Sequence, residues 1–212
     1  MTNNQLHGKK FEDFIKACGL FPGASDAART ATAGFDIEAR FDRVLGLPTS
    51  IKASGGDTVA LSDARRFFAL DEDFRMIVGR YEQVDDQKVF ANIHEFVLRR
   101  SELSELIGDL DFGAVEALHL GLLLDKFPKG AHQAAREWAQ QQKRQLSGRR
   151  TSIVLNPKID AKSQRRLQCS IHLRDLKAVC TNTGSYTLHD TSIGGWALPV
   201  IQNSKRRTFT SA

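Results

Sequence analysis

The 212-residue chain contains no apolar run near the roughly 18 residues that a membrane span needs. Its opening, MTNNQLHGKKFEDF, lacks the apolar stretch of a signal peptide, so neither membrane insertion nor secretion is expected. Cysteine is scarce. Cys18, Cys169 and Cys180 form an odd set without a CxxC pair, which argues against a disulfide framework and fits the reduced thiols of a cytoplasmic protein. There is no P-loop, no GxGxxG and no GxSxG, so nucleotide hydrolysis, dinucleotide binding and serine hydrolysis lack a sequence basis, and no nucleotide cofactor is expected. Internal repeats and low-complexity tracts are also missing. With 41% hydrophobic and 26% charged residues, the composition is that of an ordinary globular domain or a domain with an appendage.

The net charge of +5 is modest but uneven. Residues 1–140 carry 17 Lys and Arg against 22 Asp and Glu, a balance of −5, whereas residues 141–212 carry 13 against 3, a balance of +10. A basic third spread through folded-looking sequence suits a polyanion, either nucleic acid or an anionic membrane. A solvated charged face is the alternative.

Phe11, Phe14, Ile15 and Cys18 recur at helical spacing within 8–19, and Gly19 supplies a stop, which predicts an amphipathic helix. FDIEARF (35–41) and TSIKAS (49–54) predict two short neighbouring strands across the turn-like VLGLP. LSDARRFFA (61–69) predicts a helix, and FRMIVGRYEQV (74–84) and KVFANIHEFVL (88–98) predict two strands joined at Asp85-Asp86. Three helical stretches follow, within 101–108, 112–127 and 130–146. Then come two basic strands (150–160 and 165–173), a short helix (173–180) and an irregular end. This order predicts an α/β or α+β fold with a central mixed β-sheet flanked by helices. Three blocks are expected: a core over 1–100, a helical segment over 101–148, and a basic region over 149–212 packed on the core.

The chemistry concentrates on the two predicted strands. Residues i and i+2 of a strand share a face, so Asp36 and Glu38 point one way, as do Ser50 and Lys52. Pairing of the strands brings a carboxylate to an ammonium. Carboxylate oxygens suit Mg²⁺, and a lysine beside them holds a phosphate or orients a water without binding metal itself. The alternative is a half-exposed strand with Lys52 solvated at a sheet edge.

Those residues resemble the PD-(D/E)XK nuclease superfamily, whose core is a helix bearing an acid, a strand bearing Asp and a next strand bearing (D/E)-x-K. Glu12 in the opening helix matches the accessory acid, Asp36 the metal-binding Asp and Lys52 the catalytic lysine, over about residues 8–98. Phe35 stands where the pattern has Pro, and Ser50 stands where it has its second acid. Some restriction endonucleases of the superfamily carry S-x-K with the acid relocated to a following helix, and here Glu12, then Asp63, then Glu38 are the candidates. The resemblance implies a restriction-endonuclease-like core with helical and basic additions. It also implies Mg²⁺ held by Asp36, an accessory acid and the Ile51 carbonyl, with Lys52 positioning or activating the water beside Ser50. The expected activity is that of a type II restriction endonuclease on double-stranded DNA, leaving a 5′-phosphate. Cutting both strands of a palindrome implies a homodimer, for which the helices of 101–146 are the candidate interface. The alternatives are a structure-specific repair or phage nuclease and a non-catalytic DNA-binding module.

The segment NPKIDAKSQRRLQCSI resembles a target-recognition segment, with Lys158, Lys162, Gln164, Arg165, Arg166 and Gln168 as DNA-binding candidates. Arginine reads guanine, glutamine reads adenine, and lysine neutralises phosphates. One of Gln164, Arg165 and Arg166 is expected at base edges, with Lys158 and Lys162 on the backbone; contacts to phosphate alone are the alternative. Arg149-Arg150 and Lys205-Arg206-Arg207 are expected as phosphate contacts or solvated charge. Cys169, His172, Cys180 and His189 have spacings that match no zinc finger, so buried thiols are expected instead.

Overall fold

Helices and strands form a mixed α+β arrangement in a computed structural model that describes residues 6–17, 19–24, 34–123, 125–186, 192–193, 196–197 and 199–201. In chain order the elements begin with α1 (Leu6–Ala17), a 3₁₀ turn (Ala39–Phe41), β1 (Thr49–Ser54), β2 (Thr58–Asp63), α2 (Ala64–Phe68), β3 (Phe74–Val84) and β4 (Gln87–Leu98). Next come α3 (Arg100–Ile107), α4 (Phe112–Leu120), α5 (His132–Leu146), β5 (Ile153–Ile159), β6 (Arg165–His172) and α6 (Leu173–Val179). The short strands β7 (Thr181–Tyr186), β8 (Ser192–Ile193), β9 (Trp196–Ala197) and β10 (Val200–Ile201) follow. No helix of the described residues is long and apolar enough to cross a membrane.

The chain divides into two compact units. The first is Met1–Asp57, Asp73–Leu98 and Cys180–Ala212; the second is Thr58–Glu72 and Arg99–Val179. The three consecutive blocks expected from the sequence therefore do not match the division seen. Residues 58–72, within the expected core, belong to the second unit because β2 pairs with β6 instead of joining β1. The C-terminal strands β7 and β10 return to the first unit by pairing with β4.

The first unit is built on a mixed sheet of order β1-β3-β4-β10, with β7 also on β4. β1 and β3 run parallel, Lys52 standing opposite Val78, and β3 and β4 form an antiparallel hairpin. Strand alternation sends Ile51 and Ile77 to one face, where α1 lays Phe11 and Ile15 over them together with Phe90 and Ile93. The Phe11 ring stacks on Phe90 at 4.5 Å and lies directly over Gly79, where a Cβ would run into it. Burying one such side chain contributes about 1.5–3 kcal/mol.

Charge is buried in this unit too. Arg75 is 4% exposed in its side chain; its Nη1 lies 3.5 Å from Asp42 Oδ2 and its Nε 2.9 Å from Glu95 Oε1, charge contacts that fall short of aligned hydrogen bonds at Nε and at Oδ2. The guanidinium also sits 5.2 Å over the Phe21 ring. Asp42 Oδ1 accepts from the N–H groups of Val44 and Leu45 at 3.1 Å, which turns the chain ahead of β1. That turn explains a difference from the sequence reading. FDIEARF is not a strand: only Ile37 forms a bridge, to Thr49, and residues 39–41 coil into the 3₁₀ turn.

The second unit holds the antiparallel sheet β2-β6-β5 and helices α2 to α6. The helix expected over 61–69 begins only at Ala64, because Asp63 acts as its N-cap and the residues before it belong to β2. The helix expected over 112–127 ends at Leu120, and the turn that follows brings Gly121 so close to the Trp138 ring that a Cβ would clash.

Candidate active site and nucleic-acid face

β1 lies at the end of its sheet's strand order, with β3 on one side and the 36–37 segment on the other. The Thr49 carbonyl accepts from both Asp36 N–H (2.9 Å) and Ile37 N–H (3.0 Å), and Thr49 N–H donates to Ile37 O at 2.8 Å. Two residues on, Ile51 turns its backbone groups to the same side, and its N–H donates to Asp36 Oδ2 at 2.7 Å. Lys52 Nζ stands 3.7 Å from that same oxygen, with only 17% of the lysine side chain and 9% of the aspartate side chain exposed. Asp36, Ile51 and Lys52 thus come together as the sequence suggested. They do so across a single bridge and not through two paired strands.

The other candidates have definite places. Ser50 is buried and alternation puts it on the Lys52 face of β1. Glu12 is buried on α1, 2.7 Å from Lys16 Nζ and 3.9 Å from Lys9 Nζ. Glu38 does not share a strand face with Asp36, because no strand continues there; its exposed carboxylate pairs with Arg40 Nε at 3.1 Å. Asp63, in the second unit, accepts from Arg66 N–H at 3.1 Å as the α2 cap. Among the described residues no three His, Cys, Asp or Glu side chains gather as a metal-binding group. Mg²⁺ commonly takes one or two protein carboxylates and fills its shell with water and phosphate oxygens. Asp36 with the Ile51 carbonyl is an all-oxygen set of that chemistry.

One cluster had no signal in the sequence, since His7 lies 74 residues from Tyr81 and 81 from Lys88. His7 Nδ1 lies 3.1 Å from Lys88 Nζ, and His7 Nε2 lies 3.3 Å from Tyr81 Oη. Burial, with the Lys88 charge adding to it, lowers the His7 pKa to about 4, so the ring is neutral near pH 7. An ammonium only donates, so Nδ1 accepts and the proton resides on Nε2, which donates to Tyr81. Burial also lowers Lys88 and raises Tyr81.

The basic hairpin β5–β6 pairs Lys158 with Arg166 and Asn156 with Gln168. Arg165 departs from expectation. The period of two turns it inward, opposite Ile159, where it is 7% exposed and Nη1 donates to the carbonyls of Asp160 (2.7 Å) and Gln164 (2.9 Å). A guanidinium so committed does not reach a base edge. Lys158, Lys162, Gln164 and Arg166 are exposed and Gln168 is half-buried. Arg149 pairs with Asp111 at 2.7 Å and Arg150 with Asp109 at 3.3 Å. Lys205, Arg206, Arg207, Cys18 and His189 lie outside the described residues. Cys169 is buried while His172 lies on the opposite side of β6, so this pair does not converge on a metal. No protein-family model, no curated protein and no solved structure matches the chain.

Proposed function

We propose that the chain is a Mg²⁺-dependent endonuclease that hydrolyses phosphodiester bonds of double-stranded DNA at specific sites, in the manner of a type II restriction enzyme. The observation that carries this reading is the meeting of Lys52 Nζ and Asp36 Oδ2 at 3.7 Å beside the Ile51 backbone. A carboxylate held that way serves a hard cation, and an ammonium beside it serves a phosphate oxygen or a water. Asp36 and the Ile51 carbonyl, completed by Glu12, would hold Mg²⁺, which supplies charge stabilisation at the scissile phosphate. Lys52 orients the attacking water and, in this low-exposure setting, donates to a phosphate oxygen. Asp36 is itself fixed by the Ile51 N–H, so its carboxylate does not have to be ordered when substrate arrives.

The exposed cations of the β5–β6 hairpin supply the grip on DNA. A homodimer formed through the helical segment is part of this proposal; Phe112 and Leu120 of α4 are exposed there at 39% and 48%. A cytoplasmic setting is part of this proposal, and Cys169 and Cys180 are both buried.

The test is incubation of the wild-type protein and Lys52→Ala with unmethylated phage DNA, with and without Mg²⁺, followed by electrophoresis. Discrete Mg²⁺-dependent fragments from the wild type alone are expected. Retarded but intact DNA from both proteins would leave a non-catalytic DNA-binding module, and cleavage confined to branched or flapped DNA would leave a repair or phage-type nuclease.

A further inference from the structure

The sheet β2-β6-β5 buries Leu155, Leu167, Cys169 and Ile171 on one face and presents the other. On the presented face the register sets Asn156 opposite Gln168 and, two residues along, Lys158 opposite Arg166. Two residues of an antiparallel strand rise about 6.8 Å, which equals two steps of about 3.4 Å along a DNA strand. A pair of amides followed by a pair of cations therefore keeps pace with base pairs and phosphates along a groove.

The charges on this face are uncommitted. Among the described residues the side chains of Lys158, Arg166 and Gln168 make no hydrogen bond or ion pair. Elsewhere in the same unit, Arg65, Arg149 and Arg150 are each matched with a carboxylate, from Glu116, Asp111 and Asp109. The acids nearest in register are already in use. Asp63, opposite Gln168, caps α2, and Asp160 in the β5–β6 turn accepts from the N–H groups of Gln164, foremost, and Lys162, which hold its pKa below the usual carboxylate range. Asn156 Nδ2 donates to Ser170 Oγ at 2.8 Å and to the Val154 carbonyl at 3.1 Å, which positions the amide before any partner arrives and leaves Oδ1 as the atom it offers a base.

We propose that this face enters the major groove of duplex DNA, where Asn156 and Gln168 read base edges and Lys158 and Arg166 hold the phosphates. The major groove admits a two-stranded β-ribbon; the Gln168 amide matches the donor–acceptor pair of adenine, while Asn156 Oδ1 accepts from the exocyclic amine of adenine or cytosine. The preference expected is therefore for an A·T pair where Gln168 reads and for adenine or cytosine where Asn156 reads. This inference rests on the DNA partner of the proposed function, and it assigns specificity to Asn156, a residue outside the basic set that the sequence pointed to.

The experiment selects bound duplexes from a randomised DNA pool with the full chain carrying Lys52→Ala, sequences them, and repeats the selection after adding Asn156→Ala, Gln168→Ala or Arg166→Ala. The parent is expected to enrich a motif. Gln168→Ala, which removes no contact within the protein, and Asn156→Ala are each expected to erase one or two positions of that motif, with discrimination there falling about tenfold to a hundredfold. Arg166→Ala is expected to weaken all sequences alike and to lower the salt slope by about one. A motif that survives both amide substitutions overturns the assignment of this face while leaving the nuclease reading intact. Binding without any motif overturns it in favour of a phosphate grip alone, and a parent that binds no duplex overturns both readings.

Discussion

The Ile51 N–H donates to Asp36 Oδ2 at 2.7 Å, tying the backbone of β1 to the acid on the neighbouring segment. Asn in place of Asp keeps an oxygen acceptor and removes the charge. Asp36→Asn is therefore expected to fold and melt close to the wild type while Mg²⁺-dependent cleavage falls to background. Lys52→Ala is expected to lower the cleavage rate by about 10²–10⁴ and to leave duplex binding in place. Single-turnover cleavage and thermal melting, run side by side, check both.

The second acid is decided by two isosteric changes. Glu12→Gln is expected to abolish cleavage, since Glu12 is the acid buried on the helix that packs against β1. Asp63→Asn is expected to leave both cleavage and melting temperature near wild type, because Asn caps a helix about as well as Asp. Loss of cleavage in Asp63→Asn with retained stability would reverse this choice.

Arg75 lies between Asp42 and Glu95 with almost no exposure. Removing it takes the cation away from the buried Asp42 and one ion contact from the half-buried Glu95. Arg75→Met is expected to destabilise the protein by about 3–5 kcal/mol, read as a lowered midpoint of urea denaturation with little change in slope.

The Phe11 ring occupies the space where Gly79 would otherwise carry a Cβ. Gly79→Ala is expected to cost about 1–3 kcal/mol by overpacking and Phe11→Ala about 3–5 kcal/mol by leaving a cavity. In the double variant the new methyl meets no ring, so its cost is expected to be less than the sum. Denaturation of all three variants measures that coupling.

His7 gives the stability a pH dependence with a definite sign. Its folded pKa of about 4 lies below the ordinary 6.5, so the unfolded chain binds the proton more readily. The stability that the neutral ring provides is fully present above pH 6.5 and is lost as pH falls toward 4. His7→Gln is expected to flatten the melting temperature over that interval, while a wild-type profile that is already flat there would count against the arrangement with Lys88 and Tyr81.

Much of this fold can be read along the chain, and the parts that cannot share a cause. β3, β4, β5 and β6 declare themselves by alternation, and α5 by its spacing. The Asp36–Lys52 pair was legible because both residues sit in short motifs at a suggestive distance. FDIEARF misleads because its alternation is that of a strand, yet Asp42 binds the backbone N–H groups of Val44 and Leu45 and lies against Arg75, and that demand bends the chain. Arg165 misleads for a related reason: charge suggested exposure, while strand parity placed the side chain inside among carbonyls. The His7 cluster and the division into two units depend on pairings between distant segments, such as β2 with β6, for which local sequence carries no mark.

The pairing of β7 and β10 with β4 has a consequence for synthesis. All segments of the second unit have been made once Val179 is joined, whereas the first unit waits for Thr181 to Ile201 before β4 gains those neighbours. The ribosome thus delivers the unit with β5 and β6 first and leaves the sheet that holds Lys52 with an unfilled edge until β7 and β10 emerge. Closing ladders between residues so far apart in the chain is slow, so the first unit is expected to mature after the second.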